Sequence, residues 1–244
     1  TADVSVSDTV PKDVRIAEEK IHKRTEYSKE FHLNNGLSMA VVYPEAVHYQ
    51  DGGQWKEIDN TLQLSTDGTY TNAAGLWDVR FPQQLNSSNG ISITKDGYTL
   101  SFAMAGEVVS SGELARTGGN ETLSVSGAQA STARVETVDN TEMKNAAEYP
   151  ETVPDKLKSR LTYSGVYQNT NVIYDLDSNK VKESIVLSRY NSALSGYRYT
   201  LQVGSLIPVL EESGQILFFT PDKKDVVMVM PAPYLVDADN VYNT

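Results

Sequence analysis

Where apolar and polar side chains alternate regularly along this chain, the period is two. In "YTLSFAM", Tyr98, Leu100, Phe102 and Met104 fall on one face while Thr99, Ser101 and Ala103 fall on the other. "YRYTLQV" repeats the pattern, with Tyr197, Tyr199, Leu201 and Val203 set against Arg198, Thr200 and Gln202. That period marks half-buried strands, because successive side chains of an extended backbone point to opposite faces. "SMAVVY" ends at Pro44, and "AVHYQ" and "WKEIDNTLQL" flank the turn sequence "DGGQ". Turn signals separate the runs: "NNG" at 34–36, "DGG" at 51–53, "TDG" at 66–68, "KDG" at 95–97 and "ESG" at 212–214. Asn-Gly and Asp-Gly reach positive φ at low cost and close hairpins. Many short strands with frequent turns predict an all-β fold, an antiparallel β-sandwich that is one large unit or two adjoining ones.

Two segments break the pattern. Residues 1–24 read as an N-terminal extension, and within it "PKDVRIAEEKIHKR" (11–24) predicts a short helix carrying Val14, Ile16, Ala17 and Ile21. Residues 106–158 are small and polar with few large apolar side chains, which predicts a meander of exposed edge strands and loops ending in a linker near "YPETVP". This leaves one β region at 25–105 and a second at 160–244 that packs with it.

Chemistry is sparser than structure. In "VHYQDGGQWKEIDNTL" (47–62) a hairpin turned at 50–54 places Tyr49 and Trp55 beside the loop, where they are expected to pack across the strand pair. Beyond it, Lys56, Ile58, Asn60, Leu62 and Leu64 share a face, so Asn60 must find partners, expected in the backbone of a neighbouring turn. The alternative to a purely structural hairpin is a sugar-stacking platform. In that reading Tyr49, Trp55 and Trp77 supply the rings, and Asp59 and Glu57 accept from hydroxyls.

"DLDSNKVKE" (175–183) opens like a calcium loop, with Asp175, Asp177 and Asn179 at alternate positions. Lys180 then stands where an EF-hand needs Gly, and Val186 where it needs Glu. A turn is the main reading, a calcium site of another type the alternative, and "DADN" (237–240) is read the same way. Glu183 shares a strand face with Val181, Ile185 and Leu187, where a carboxylate needs a partner or a raised pKa. His22, His32 and His48 make no i, i+2 or i, i+4 pair and no HExxH motif, so no zinc site is expected from spacing. Nucleophile elbows and phosphate loops are missing, and no catalytic residue is assigned.

Composition narrows the setting. The 244 residues are 39% hydrophobic and 22% charged, which suits a folded globular chain. No apolar run approaches the roughly 18 residues that span a bilayer, and "TADVSVSDTVPKD" has neither a charged n-region nor an apolar h-region. Lys and Arg number 21 against 32 Asp and Glu, a formal net charge of −11 that repels nucleic acid and anionic membranes. With no cysteine, disulfides and thiolate chemistry are excluded.

Four blocks occur in order: "KRTEYSKEFHLNNG", "VVYPEAVHYQDGGQWKEIDNTL", "LTYSGVYQNTNVIYDLDSNKVKESIVL" and "MPAPYLVDADN". Together they resemble the N-terminal region of large secreted or wall-associated RHS/YD-repeat or DNRLRE-type surface proteins of Gram-positive bacteria. The resemblance covers roughly 25–62 and 160–240 and implies an exported β-rich segment of a larger protein, with no catalytic residues to carry over. The expectation is therefore a non-enzymatic extracellular structural or adhesive module at the cell surface, with polysaccharide or other surface proteins as partners and no membrane insertion. The alternatives are a carbohydrate-binding module and a β-sandwich polysaccharide-active enzyme using Glu183 or Asp59 as acid.

Overall fold

The computed structural model describes residues 14–86, 88–110, 121–124, 131–138, 140–190, 194–237 and 242–243. The chain is built from antiparallel sheets, as the alternation predicts. The first comprises β1 (Ile16–Glu19), β2 (Ser28–Leu33) and β3 (Ser38–Val42) in that order. A two-stranded hairpin follows, β4 (His48–Asp51) with β5 (Gln54–Glu57).

The largest sheet contains β6 (Asp59–Leu64), β7 (Thr69–Ala74), β8 (Asp78–Pro82), β10 (Ile91–Lys95), β11 (Tyr98–Ser110), β12 (Glu121–Ser124) and β17 (Leu194–Gln202). Its axis is the long strand β11. Along one edge β11 pairs with β10 and then β12, and along the other it pairs with β17, Phe102 opposite Leu201. A five-stranded sheet runs in the order β16 (Val181–Leu187), β15 (Thr170–Leu176), β14 (Ser159–Tyr167), β13 (Ser131–Thr137) and β9 (Gln84–Leu85). The three-stranded meander β18 (Ile207–Leu210), β19 (Ile216–Phe219) and β20 (Val226–Met230) and the short pair β21 (Leu235–Val236) with β22 (Tyr242–Asn243) complete it.

One hydrophobic cluster joins the sheets. Val79, Phe81, Ile91 and Leu100 come from the largest sheet, Leu161, Tyr163, Val172 and Tyr174 from the five-stranded one, and Phe218 and Met228 from the last meander. The Phe81 and Tyr174 rings meet at 5.5 Å between centroids, and Tyr163 stands edge-on to Tyr174 at 6.0 Å. Tyr163 is fully buried, so its hydroxyl needs an acceptor, and it donates to the Pro82 carbonyl at 2.5 Å. Gly90 is fixed by crowding: a Cβ there would lie 1.9 Å from the Phe102 carbonyl oxygen of the neighbouring strand.

Residues 14–24 differ from expectation. They form β1 and a single 3-10 turn, Ile21–Lys23, in place of a helix, because β1 finds a partner strand in β2, with Glu18 opposite His32 and Glu19 opposite Phe31. Residues 11–13 of the expected helix lie outside the described residues. Among the described residues the α-helix, α1 (Thr141–Ala146), falls in the stretch read as a meander. Within that stretch β13 is an interior strand between β14 and β9, while 111–120 and 125–130 lie outside the described residues. Asn60 is buried among apolar neighbours and donates to the Leu157 carbonyl at 2.7 Å, in the bend before β14.

Candidate functional site

The glycine pair in "DGGQ" sets the geometry of the site. Gly52 and Gly53 both take positive φ (59° and 79°), the two-residue turn whose twist matches a hairpin. Asp51 therefore faces Gln54, Gln50 faces Trp55, Tyr49 faces Lys56 and His48 faces Glu57. Directly opposed residues share a face, so Trp55 lies on the face of His48 and Glu57 while Tyr49 lies on the other. The expected packing of Tyr49 on Trp55 across the pair is corrected by this register. Tyr49 instead covers a small cluster of Ala46, Val47, Ile58 and Leu157.

The face bearing His48 and Glu57 meets the first sheet. Glu19 arrives from the end of β1, the 3-10 turn delivers Arg24, and β2 contributes Lys29. Arg24 grips Glu19 with two hydrogen bonds of 2.6 and 2.9 Å and reaches Glu57 at 3.1 Å. Lys29 bonds to Glu57 at 2.5 Å and lies 3.8 Å from Glu19. Two carboxylates and two cations thus close a neutral ring around His48, whose side chain is fully buried.

The imidazole Nδ1 lies 2.6 Å from the Thr25 carbonyl oxygen. A carbonyl only accepts, so Nδ1 carries the proton and donates, and in the neutral ring Nε2 keeps a bare lone pair. That buried Nε2 has no hydrogen-bond partner. Burial pushes the His48 pKa down, and Arg24 and Lys29 add to this against the opposing Thr25 bond and Glu19. Glu57 feels burial pushing it up, but the Lys29 hydrogen bond and the nearby charges of Lys29 and Arg24 prevail and hold its carboxyl below the usual range. Nearby, burial drives the Tyr43 phenol up to about 12, and its hydroxyl donates to the Thr152 carbonyl at 2.7 Å.

The other sequence-derived candidates are scattered. Trp77 packs half-buried against the main core, whereas Trp55 lies on the hairpin strand β5. Asp59 accepts from Lys156 at 2.8 Å and from the Thr61 backbone N–H at 3.0 Å. Asp175 is held by the Arg160 guanidinium through two bonds, 2.6 and 3.1 Å. Asp177 sits between Lys158 at 3.3 Å and Lys180 at 3.1 Å. Its Oδ1 receives no hydrogen bond despite the Lys158 ammonium, so charge proximity, not directed bonding, satisfies it.

Asn179 is exposed on the turn closed by the Asp177 N–H and the Lys180 carbonyl at 2.9 Å. Residues 238–240 of "DADN" lie outside the described residues. Glu183 has partners that the strand pattern alone did not name: Tyr174 donates to it at 2.5 Å and Tyr199 donates to its other oxygen. Burial raises the Glu183 pKa against the effect of both phenols.

Among the described residues, the acids and histidines that come together closely enough to hold a cation are Glu19, His48 and Glu57, with ligand atoms all within 4.8 Å of one another. Spacing along the sequence hides this trio, since its members are assembled from β1, β4 and β5. The hairpin itself was expected, but its expected register set Tyr49 against Trp55 and so missed His48 opposite Glu57.

No protein-family model matches the chain, and no solved structure matches it. Among curated proteins the chain is similar to the tRNA nuclease WapA of Bacillus subtilis (strain 168), 21% identical over 231 residues. Those residues make up 93% of this chain and 8% of that protein, so the chain spans less than a tenth of the relative's length. This corrects the functional expectation. A non-enzymatic structural or adhesive module was expected, whereas the similar protein is named as an enzyme that acts on tRNA. The two carbohydrate alternatives do not match that name either.

Proposed function

We propose that this chain is a segment of a nuclease-type enzyme whose substrate is RNA of the tRNA class. The observation that carries the reading is the extent of the similarity, 231 residues running through nearly the whole chain, to a protein that bears that activity in its name. The polypeptide in this reading is much longer than 244 residues and is exported from a Gram-positive cell, in line with the ordered blocks at 25–62 and 160–240.

Electrostatics divide the labour. A phosphate backbone is gripped by cations that are free to replace its counterions. Here Arg24, Lys29, Lys156 and Arg160 already face carboxylates, and the net charge is −11. Contact with tRNA therefore belongs to other parts of the enzyme, and this segment contributes its folded frame to it.

The test is cleavage of purified tRNA by the long polypeptide, compared with residues 1–244 alone. The expected result is fragments from the long polypeptide and intact tRNA with the segment. Intact tRNA in both reactions would overturn the nuclease reading, and cleavage by the segment alone would overturn the division of labour.

A further inference from the structure

We propose that Glu19, His48 and Glu57 form a binding site for one divalent transition-metal ion of the zinc type, which ties β1 to the β4–β5 hairpin. The argument starts from the imidazole. The Thr25 carbonyl fixes the proton on Nδ1 at 2.6 Å, the arrangement by which metal-binding histidines are commonly oriented, and it turns Nε2 into a ready donor atom. Nε2 is buried and makes no hydrogen bond, a costly condition for a buried polar atom unless something fills it.

The second element is the pair of carboxylates. Their oxygens and a His48 ring nitrogen already lie within 4.8 Å of one another. Zinc bonds to nitrogen and carboxylate oxygen at about 2.0–2.2 Å, so ligand atoms around one ion sit roughly 3.5 Å apart. Closing the remaining gap takes a modest side-chain rotation. Glu57 has the room to make it once its Lys29 contact is displaced, since its side chain is 53% exposed, and the same exposure gives an ion its path in. One imidazole with two carboxylates suits zinc and its first-row neighbours, whereas magnesium and calcium prefer oxygen alone.

Arg24 and Lys29 are the competitors. They neutralise the carboxylates in the metal-free ring, so an entering ion must displace at least the Lys29 contact to Glu57. This competition yields a signature that a merely structural ion-pair ring would not give: deleting the Lys29 ammonium should tighten metal binding.

The experiment is a calorimetric titration of the folded chain with zinc chloride and, separately, magnesium chloride. One zinc per chain and no magnesium response are expected. Both H48Q and E57Q should weaken zinc binding at least about 100-fold, beyond the 10–100-fold typical of losing an outer-shell partner. K29M should strengthen binding, and the double variant H22Q/H32Q, which removes the two exposed histidines, should leave it unchanged. Glu57 lies at the surface, so E57Q keeps the test decisive if H48Q fails to fold. Absence of zinc binding, or binding that survives E57Q and disappears in H22Q/H32Q, would overturn the proposal.

Discussion

Two acids in this molecule, Glu57 and Glu183, both sit on strands and both feel burial, yet their pKa values move in opposite directions. Burial is the largest influence on both, and in both it favours the protonated acid. Glu183 meets two phenols, Tyr174 and Tyr199, whose hydrogen bonds oppose burial without overcoming it, and its pKa rises. Glu57 meets an ammonium and a guanidinium, whose charges overcome burial, and its pKa falls. Both the chemistry of the partner and the lesser depth of Glu57, 53% exposed, send the two pKa values in opposite directions. The Glu183 cluster stiffens a core, while the Glu57 cluster concentrates charge around a histidine.

The largest expected effect breaks the charged cluster. Arg24→Ala leaves Glu19 and Glu57 to share Lys29, in a space from which the guanidinium, 12% exposed, has gone. Removing one partner of a fully buried ion pair costs about 3–5 kcal/mol; this pair is partly buried, and urea denaturation should read a loss at the lower end, about 3 kcal/mol. Adding Glu19→Ala should recover part of it, because the uncompensated charge goes too.

A smaller loss is expected in the phenolic cluster. Tyr199→Phe removes one of two hydroxyls from Glu183 and should cost roughly 1–3 kcal/mol by the same measurement. An equal or larger loss than for Arg24→Ala would mean that hydroxyl pairing rivals ion pairing here.

The smallest effect separates the two acids by pH. The folded pKa of Glu183 is raised, so its contribution is complete below the unfolded value of about 4.3 and is lost as pH rises through the folded value. Glu57 has a lowered folded pKa, so its contribution is present above the unfolded value and is lost as pH falls through the folded one. Glu183→Gln should therefore match the parent in acid and gain on it toward neutrality. Glu57→Gln should also match the parent in acid but fall behind it toward neutrality. Parallel pH profiles for the two variants would erase the contrast.

Much of the fold was legible. The alternation in "YTLSFAM" and "YRYTLQV" identified β11 and β17, which pair directly. Glycines 36, 52, 53, 68, 97 and 214 all adopt the positive φ that their turn motifs called for. The polar clusters were not legible, because the expected register of the turn at 50–54 set Tyr49 against Trp55 and Glu183 was given no partner. The "DGG" turn puts His48 opposite Glu57, and the Asp177–Lys180 turn puts Tyr174 opposite Glu183.

Glu19 and Tyr199 come from strands distant in sequence. Local patterning carries no information on which distant strands pack against a hairpin. Glu19 was further masked because 11–24 carries enough charge and isoleucine to look helical until β2 is there to pair with it.

The account rests most directly on His48 being a neutral imidazole whose buried Nε2 lone pair has no hydrogen-bond partner. Long-range proton–nitrogen correlation spectra of the folded chain at neutral pH, without added metal, read that state for each histidine. The Nδ1–H tautomer with an unprotonated Nε2 is predicted for His48. An Nε2–H tautomer, or an imidazolium with both nitrogens protonated, would contradict it.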